Sequence, residues 1–255
     1  MDSGWFRRFA ATGTATGDDT APQLICFPHA GGAASAYVPL SRALTADVDV
    51  VAVQYPARQD RRKEEPVTSL TVLARTVADA LAGSLTPGRP YALFGHSMGA
   101  ILAYETARLL PASAVPPPVR LFLSGRTAPT PEPRRSDLLG GDTELLAEIS
   151  RLGGTGRRVL DEPELLEMAL PALRADYRAL GSYRWRPGPP LDVPFTVLVG
   201  ETDPVVPTDD ARGWLGHSTR EGRMRVFPGG HFYLDEAVAE VADEIRLSLA
   251  APVSL

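Results

Sequence analysis

A glycine-flanked serine is the residue in this chain best placed to act as a nucleophile. Residues 95–99 read Gly-His-Ser-Met-Gly, which matches the G-x-S-x-G pattern with Ser97 at its centre. An apolar run at 91–94 precedes the pattern, and a helical pattern begins near Met98. A sharp turn from strand to helix would hold the Ser97 hydroxyl clear of the sheet, and glycines leave room for that turn. The sequence therefore predicts a nucleophile elbow, with a glycine-tolerant turn and a capping serine as the alternative.

A serine nucleophile needs a general base, and the chain has four histidines. His231 comes just after the last apolar run of the chain. In folds that carry a serine on such an elbow, the base lies on the loop after the final strand. His96 lies within the turn itself, His29 follows the first strong apolar run, and His217 has the polar surroundings of a surface residue. We predict that His231 is the base, and the alternative is a loop histidine with structural hydrogen bonds.

The base needs a carboxylate to orient it, and chain order places that acid between Ser97 and His231. The apolar run at 195–199 ends in Gly-Glu-Thr-Asp-Pro, which offers Glu201 and Asp203. We predict Asp203, with Glu201 as the near rival. Some proteins with this elbow carry the acid one strand earlier, but here the end of the preceding run, at 124–127, holds no carboxylate, which favours Asp203. Asp209 and Asp210, further along, have the pattern of surface residues on the next helix.

Two backbone N–H groups would have to stabilise the negative oxygen that forms during acyl transfer. The residue after the nucleophile, Met98, supplies one of them. The second should come from the loop after the first strong apolar run, which reads Pro-His-Ala-Gly-Gly at 28–32. We predict Ala30 as that donor, although the two glycines alone would also fit a flexible turn.

Short apolar runs alternate with helical patterns along the chain, which is typical of a parallel sheet covered by helices on both faces. We predict strands, near-continuously apolar because both their faces are buried, at 23–27, 48–53, 91–94, 120–123, 195–199 and 223–227, with a further strand within 5–9. Helical spacing predicts three helices. The first covers 70–81 and is capped by Thr68 or Ser69, and the second begins directly after Ser97. The third covers 238–249, with Asp235 and Glu236 in its first turn. With the elbow, this order predicts an α/β-hydrolase fold with a mostly parallel central sheet.

One stretch breaks the alternation. Residues 129–190 separate two predicted strands and are too long for a simple loop. Helical patterns cover 143–152 and the residues after Asp161, a candidate helix cap. We predict a single domain over 1–255 with a helical lid insertion at about 129–190; an ordinary packed helical layer is the alternative.

Composition excludes several other function classes. The formal net charge of −5 does not favour a nucleic-acid partner, and no apolar run is long enough to span a membrane. Neither a phosphate-binding G-x-x-x-x-G-K-[ST] loop nor a dinucleotide G-x-G-x-x-G follows a strand, and histidine and cysteine are too scattered for a metal site. The single cysteine, Cys26, lies mid-strand and is predicted to be a core residue. These features and the absence of a signal peptide predict a cytoplasmic protein.

Four segments together resemble the type II thioesterases of polyketide and nonribosomal peptide synthesis. They read ICFPHAGG at 25–32, VQYPAR at 53–58, FGHSMGA at 94–100 and GGHFYL at 229–234. The elbow alone is common to α/β hydrolases, whereas the runs at 28–32 and 54–58 are more specific. The resemblance extends from about residue 24 to residue 249, and its least diagnostic part is the insertion.

The resemblance implies an editing enzyme that hydrolyses aberrant acyl groups from the phosphopantetheine arm of acyl or peptidyl carrier proteins. It gives Ser97, Asp203 and His231 the roles of the family's triad, and it implies no metal or soluble cofactor, since the pantetheine belongs to the carrier. A basic run of Arg58, Arg61, Arg62 and Lys63 could dock an acidic carrier, although the sequence favours a solvated loop over docking. A general acyl-CoA thioesterase or carboxylesterase is the main rival, followed by a non-catalytic binding protein on the same fold.

Overall fold

Within the described residues, seven strands form one sheet in the order β1-β3-β2-β4-β5-β6-β7. The computed structural model describes residues 4–9, 21–45, 47–110, 115–153 and 160–250. Strand β1 pairs antiparallel with β3, and every other neighbouring pair in the sheet is parallel. The strands are β1 Phe6–Arg8, β2 Gln23–Phe27, β3 Asp49–Val53, β4 Tyr91–His96, β5 Arg120–Ser124, β6 Phe195–Gly200 and β7 Arg223–Phe227. The predicted mostly parallel sheet is confirmed, with strand ends shifted by one or two residues.

The last strand differs from the prediction of burial on both faces. Strand β7 lies at the edge of the sheet and pairs only with β6 among the described strands. Arg223 and Arg225 on β7 reach the buried Glu244, and Val226 is 45% exposed. An edge strand has one open side, so charged side chains are tolerated there and discourage pairing with other chains.

Helices cover both faces of the sheet. The α-helices whose bounds lie within the described residues are α1 Val38–Leu44, α2 Leu70–Ala82, α3 Met98–Leu109, α4 Asp142–Leu152, α5 Pro163–Ser182, α6 Thr208–Arg212 and α7 Val238–Ala250. The Ser69 hydroxyl caps α2 by accepting the Val72 N–H. Helix α7 begins at Val238, so Asp235, which closes a short 3₁₀ turn, and Glu236 precede its first turn rather than form it as predicted.

Side chains along each central strand alternate between two cores, as the two-residue period of a strand requires. Ile25 and Phe27 on β2 join one apolar cluster with α2 and α3. Leu24 and Cys26 join the other cluster, which lies under α1 and α7. Cys26 is buried, and burial raises the pKa of its thiol well above the ordinary value, as expected for a core residue.

The helical insertion, residues 129–190, contains α4 and α5. These two helices share a small apolar cluster built on Leu145, Ile149 and Leu173, while Leu180 near the end of α5 joins the main core. The residue that caps α5 is Glu162 rather than the predicted Asp161, and its side chain makes no capping hydrogen bond. Among the helices that the structure describes, none combines the length and apolar character needed to cross a bilayer.

Candidate active site

Ser97 occupies the turn between β4 and α3 in a conformation that few residues adopt. Its backbone angles are φ 56° and ψ −118°, and its N–H donates to the Ser124 carbonyl at 2.8 Å. The flanking glycines allow this close approach: a Cβ on Gly95 would lie 2.1 Å from the Gly99 oxygen, and one on Gly99 would lie 2.0 Å from the Phe27 oxygen. Strain held by such packing is typical of functional turns, and it gives the Ser97 hydroxyl a fixed position.

The His231 imidazole is in direct contact with the Ser97 hydroxyl. His231 Nε2 lies 3.0 Å from Ser97 Oγ. His231 follows β7, and its side chain is only 2% exposed. This distance lies within the range in which a histidine can accept the proton of an attacking serine.

Asp203 completes a hydrogen-bonded chain with His231 and Ser97. Its Oδ2 accepts a hydrogen bond from His231 Nδ1 at 2.7 Å, and its Oδ1 accepts the N–H groups of Val205 and Val206 at 2.9 and 3.2 Å. The carboxylate is wholly buried, so these three donors fix its orientation. Glu201, the rival acid in the sequence, is exposed to solvent.

The two residues predicted as oxyanion donors are Met98, which directly follows Ser97, and Ala30. Helix α3 begins at Met98, so its amide has no preceding helical turn to bond to. Ala30 lines the same small pocket as Ser97 and His231. The next amide, that of Gly31, donates to Asp176 Oδ2 at 2.7 Å. The Met98 and Ala30 amides stay the predicted pair of oxyanion donors.

Two cavities meet at this site. The Ser97 pocket has a volume of about 20 Å³, close to the space that one water molecule fills. A larger cavity of about 320 Å³ lies beyond Ala30 and is lined mainly by apolar groups, including Leu173 and Phe232. Leu152 and Tyr177 of the helical insertion line both cavities. The insertion therefore forms one wall of the space around the nucleophile.

Two further histidines lie near His231. Burial, together with the nearby His231 and Arg58, lowers the pKa of His29 to about 4. Burial also lowers the pKa of His96 well below the ordinary value, and its Nδ1 is hydrogen-bonded to Ser124 Oγ at 2.8 Å. Both rings are therefore neutral near pH 7. Of these three histidines, His231 is the one that is hydrogen-bonded to Ser97.

The sequence profile of the thioesterase domain matches residues 22–249. The chain belongs to the thioesterase domain family. It is a thioester hydrolase. Its structural likeness to a solved type II thioesterase confirms the α/β-hydrolase fold.

The thioesterase is similar to two curated Streptomyces thioesterases and to a solved type II thioesterase. It is 42% identical to the probable cadicidin biosynthesis thioesterase of Streptomyces griseus over 98% of this chain and 68% of the relative. It is also 42% identical to the thioesterase PikA5 of Streptomyces venezuelae over 96% of this chain and 85% of the relative. The structure of the type II thioesterase BorB from the borrelidin biosynthetic cluster superimposes with a TM-score of 0.85 at 43% identity, covering 96% of this chain and 97% of that one. The resemblance noted in the sequence is confirmed.

His217 of the thioesterase is not the surface residue that the sequence suggested. Its ring is half-buried and packs edge-on against Tyr104, Trp185 and Trp214. Its Nδ1 lies 3.2 Å from the Tyr104 hydroxyl. The prediction was wrong because Tyr104 and Trp185 come from two other segments of the chain, and Trp214 lies in the same short 3₁₀ helix as His217.

The basic run of the thioesterase is also not the continuous surface patch that was considered for docking. Arg58 is buried and paired with Asp176, and Arg61 packs over the Trp5 ring while bonding Glu64. Of the four basic residues only Arg62 and Lys63 are exposed, and they are followed by two exposed glutamates. The exposed part of the run is therefore of mixed charge.

Sequence reasoning missed one polar residue beside the site. Asp176 lies on the buried face of α5, spaced three residues after Leu173 and four before Leu180. A carboxylate within an apolar stripe is the signal that could have identified it, because a buried charge needs a partner.

Proposed function

We propose that this thioesterase is an editing enzyme that hydrolyses aberrant acyl groups from the phosphopantetheine arm of carrier-protein domains, with Ser97, His231 and Asp203 as its catalytic triad. The observation that carries the proposal is the continuous hydrogen-bonded chain from Ser97 Oγ through His231 to Asp203, with distances of 3.0 and 2.7 Å. A serine activated in this way attacks acyl carbonyls.

In the first half of the reaction, Ser97 Oγ attacks the thioester carbonyl while His231 Nε2 takes its proton. Asp203 accepts the Nδ1–H of His231, which fixes the required tautomer and stabilises the imidazolium that forms. The N–H groups of Ala30 and Met98 donate to the negative oxygen of the tetrahedral intermediate. The C–S bond then breaks, and the departing sulfur takes the proton from His231.

In the second half, water attacks the Ser97 ester with His231 again accepting a proton. The tetrahedral intermediate collapses, the proton returns to Ser97 Oγ, and a carboxylic acid leaves. A thiol with a pKa of about 8.5 leaves readily, whereas an amide nitrogen would need much stronger protonation. The proposed chemistry therefore favours thioesters over amides and calls for no metal or soluble cofactor.

The helical insertion acts in this proposal as a lid over the nucleophile. Support comes from Leu152 and Tyr177, which lie on the insertion and line both the Ser97 pocket and the apolar cavity. The apolar cavity, of about 320 Å³, offers space for an apolar part of the substrate next to the reacting carbonyl.

The similarity to thioesterases of biosynthetic clusters supports a carrier-bound substrate; one of these proteins is the type II thioesterase BorB from the borrelidin cluster. The deciding experiment compares kcat/KM for one acyl group presented on a carrier protein and on coenzyme A. A clear preference for the carrier is expected. Equal rates would favour the rival, a general acyl-CoA thioesterase on the same triad, and the Ser97→Ala variant would report the background hydrolysis of each substrate.

A further inference from the structure

A buried ion pair joins two parts of the chain that the proposed mechanism does not use. Arg58 follows β3, Asp176 lies on α5, and their side chains are 5% and 2% exposed. Burying two charges costs several kcal/mol per ion, and apolar replacements of similar volume are often neutral or stabilising. Stability alone is therefore a weak reason for this pair.

Both members of the pair bond to the glycine loop, residues 28–34. Asp176 Oδ2 accepts the Gly31 N–H at 2.7 Å and is also the atom that Arg58 Nη2 contacts. Arg58 Nε donates to the Gly32 carbonyl at 3.1 Å, and its Nη1 donates to the Pro56 carbonyl at 2.7 Å. All three guanidinium nitrogens have acceptors, so the guanidinium plane is fixed against the loop.

Helix α5 packs closely against the glycine loop at Gly31. This residue has a φ of +73°, and a Cβ there would lie 2.3 Å from the Leu173 side chain. The N–H that Asp176 binds belongs to the peptide joining Ala30 to Gly31. The Ala30 N–H belongs to the preceding peptide plane, which is joined to this one at the Ala30 Cα. Only the two backbone dihedrals of Ala30 lie between the planes, so the orientation of the second constrains where the Ala30 N–H points.

The rest of the run at 54–58 holds the two ends of the same loop. The Tyr55 hydroxyl donates to the Pro28 carbonyl at 3.2 Å, and Gln54 Oε1 accepts the Ala34 N–H at 2.7 Å. Gln54 and Tyr55 are fully buried. One segment thus anchors the loop at its start and end, and Arg58 with Asp176 anchors its middle.

We infer that Arg58 and Asp176 are positioning residues that hold the Ala30 N–H toward the reacting carbonyl, so that the pair of oxyanion donors is complete only while α5 packs against the glycine loop. The inference rests on the proposed function, because it takes Ala30 as an oxyanion donor. The helical insertion then controls the chemical step itself in addition to access to Ser97.

The first test is the Asp176→Ala variant of the full chain, assayed with a short acyl-N-acetylcysteamine thioester. We expect kcat to fall by about 100-fold, as when one oxyanion donor is lost, with KM changed by less than about threefold. The inhibition constant of a trifluoromethyl ketone analogue, which forms a negative tetrahedral adduct with a serine, should rise by a similar factor.

The second variant separates positioning from stability. Arg58→Met combined with Asp176→Leu removes both charges and fills their space, so the melting temperature should return close to that of the wild type. The glycine loop stays without its anchors, and we expect kcat to remain low. Recovery of kcat together with the melting temperature would show a purely structural pair and overturn the inference.

Asp142→Ala is the matched control, because it breaks an exposed ion pair between α4 and α5. Its partner Arg174 lies on α5, two residues before Asp176. The kcat of Asp142→Ala should equal that of the wild type. Full activity in Asp176→Ala, with activity lost in Ser97→Ala, would overturn this inference alone. Retained activity in Ser97→Ala would overturn the proposed function and the inference with it.

Discussion

His231 Nε2 lies 3.0 Å from the Ser97 hydroxyl oxygen, although 134 positions separate the two residues in the sequence. The sheet produces this contact, because the carboxyl ends of β4 and β7 lie at the same edge of parallel strands. The buried Asp203 approaches the imidazole from its other nitrogen. The three groups should therefore act as one unit in catalysis.

The first prediction concerns that unit. Ser97→Ala and His231→Ala should each lower kcat for a thioester by about 10⁶-fold, and the double variant should lose no more than either single variant. Ser136→Ala is the control, since this serine lines the same pocket without contacting His231 among the described residues. Steady-state kinetics with matched circular dichroism would check the result. Additive losses in the double variant would contradict a single catalytic unit.

The second prediction separates the two candidate acids. Asp203→Asn should lower kcat by about 10⁴-fold, because the imidazole loses the carboxylate that selects its tautomer. Glu201→Gln should leave kcat within about twofold, since surface changes away from a site have small effects. The same thioester assay serves for both variants. A larger loss in Glu201→Gln than in Asp203→Asn would reject the geometry seen here.

Much of this fold follows from local patterns in the sequence. The buried strands β2 to β6 are short apolar runs, and the glycines around Ser97 signal a tight turn, so both were predictable. Asp203 and His231 were found because each follows a strand in the order that the elbow demands. These predictions needed only the chain order and not the distances.

Contacts between distant segments were not predictable in the same way. Arg58 and Asp176 are 118 positions apart, and the basic run around Arg58 gave no sign that one of its members is buried. His217 similarly depends on aromatic rings from other segments. A sequence pattern reports the period of a helix or strand, whereas these partners are decided by how the elements pack.

The third prediction tests the packing behind the elbow. Gly99→Ala would place a methyl group 2.0 Å from the backbone oxygen of Phe27, which cannot move without shifting β2. We expect the free energy of unfolding to fall by about 3 kcal/mol, the upper range for overpacked sites. Gly216→Ala, where a Cβ meets nothing within 4 Å, is the control and should change stability by less than about 0.5 kcal/mol. Urea unfolding of both variants gives the comparison, and equal stability would argue against this close contact.

The fourth prediction concerns the pH dependence of stability. Burial lowers the pKa of His29 from 6.5 to about 4 in the folded protein. Between these values the unfolded chain binds a proton that the folded protein refuses, so stability is complete above pH 6.5 and is lost as the pH falls toward about 4. His29→Phe keeps an aromatic ring against Phe232 and removes the titration.

The measurement is urea unfolding of the wild type and His29→Phe at about pH 7.5 and about pH 5, where the wild type should lose about 2 kcal/mol more than the variant. Other titrating groups are common to both proteins, so most of their contribution cancels in the difference, although His96 loses the part of its shift that comes from His29. A loss of equal size in the two proteins would mean that His29 keeps its ordinary pKa in the folded state. The His29 ring, which lies against Gly32 and Phe232, would then be open to protons in the folded state.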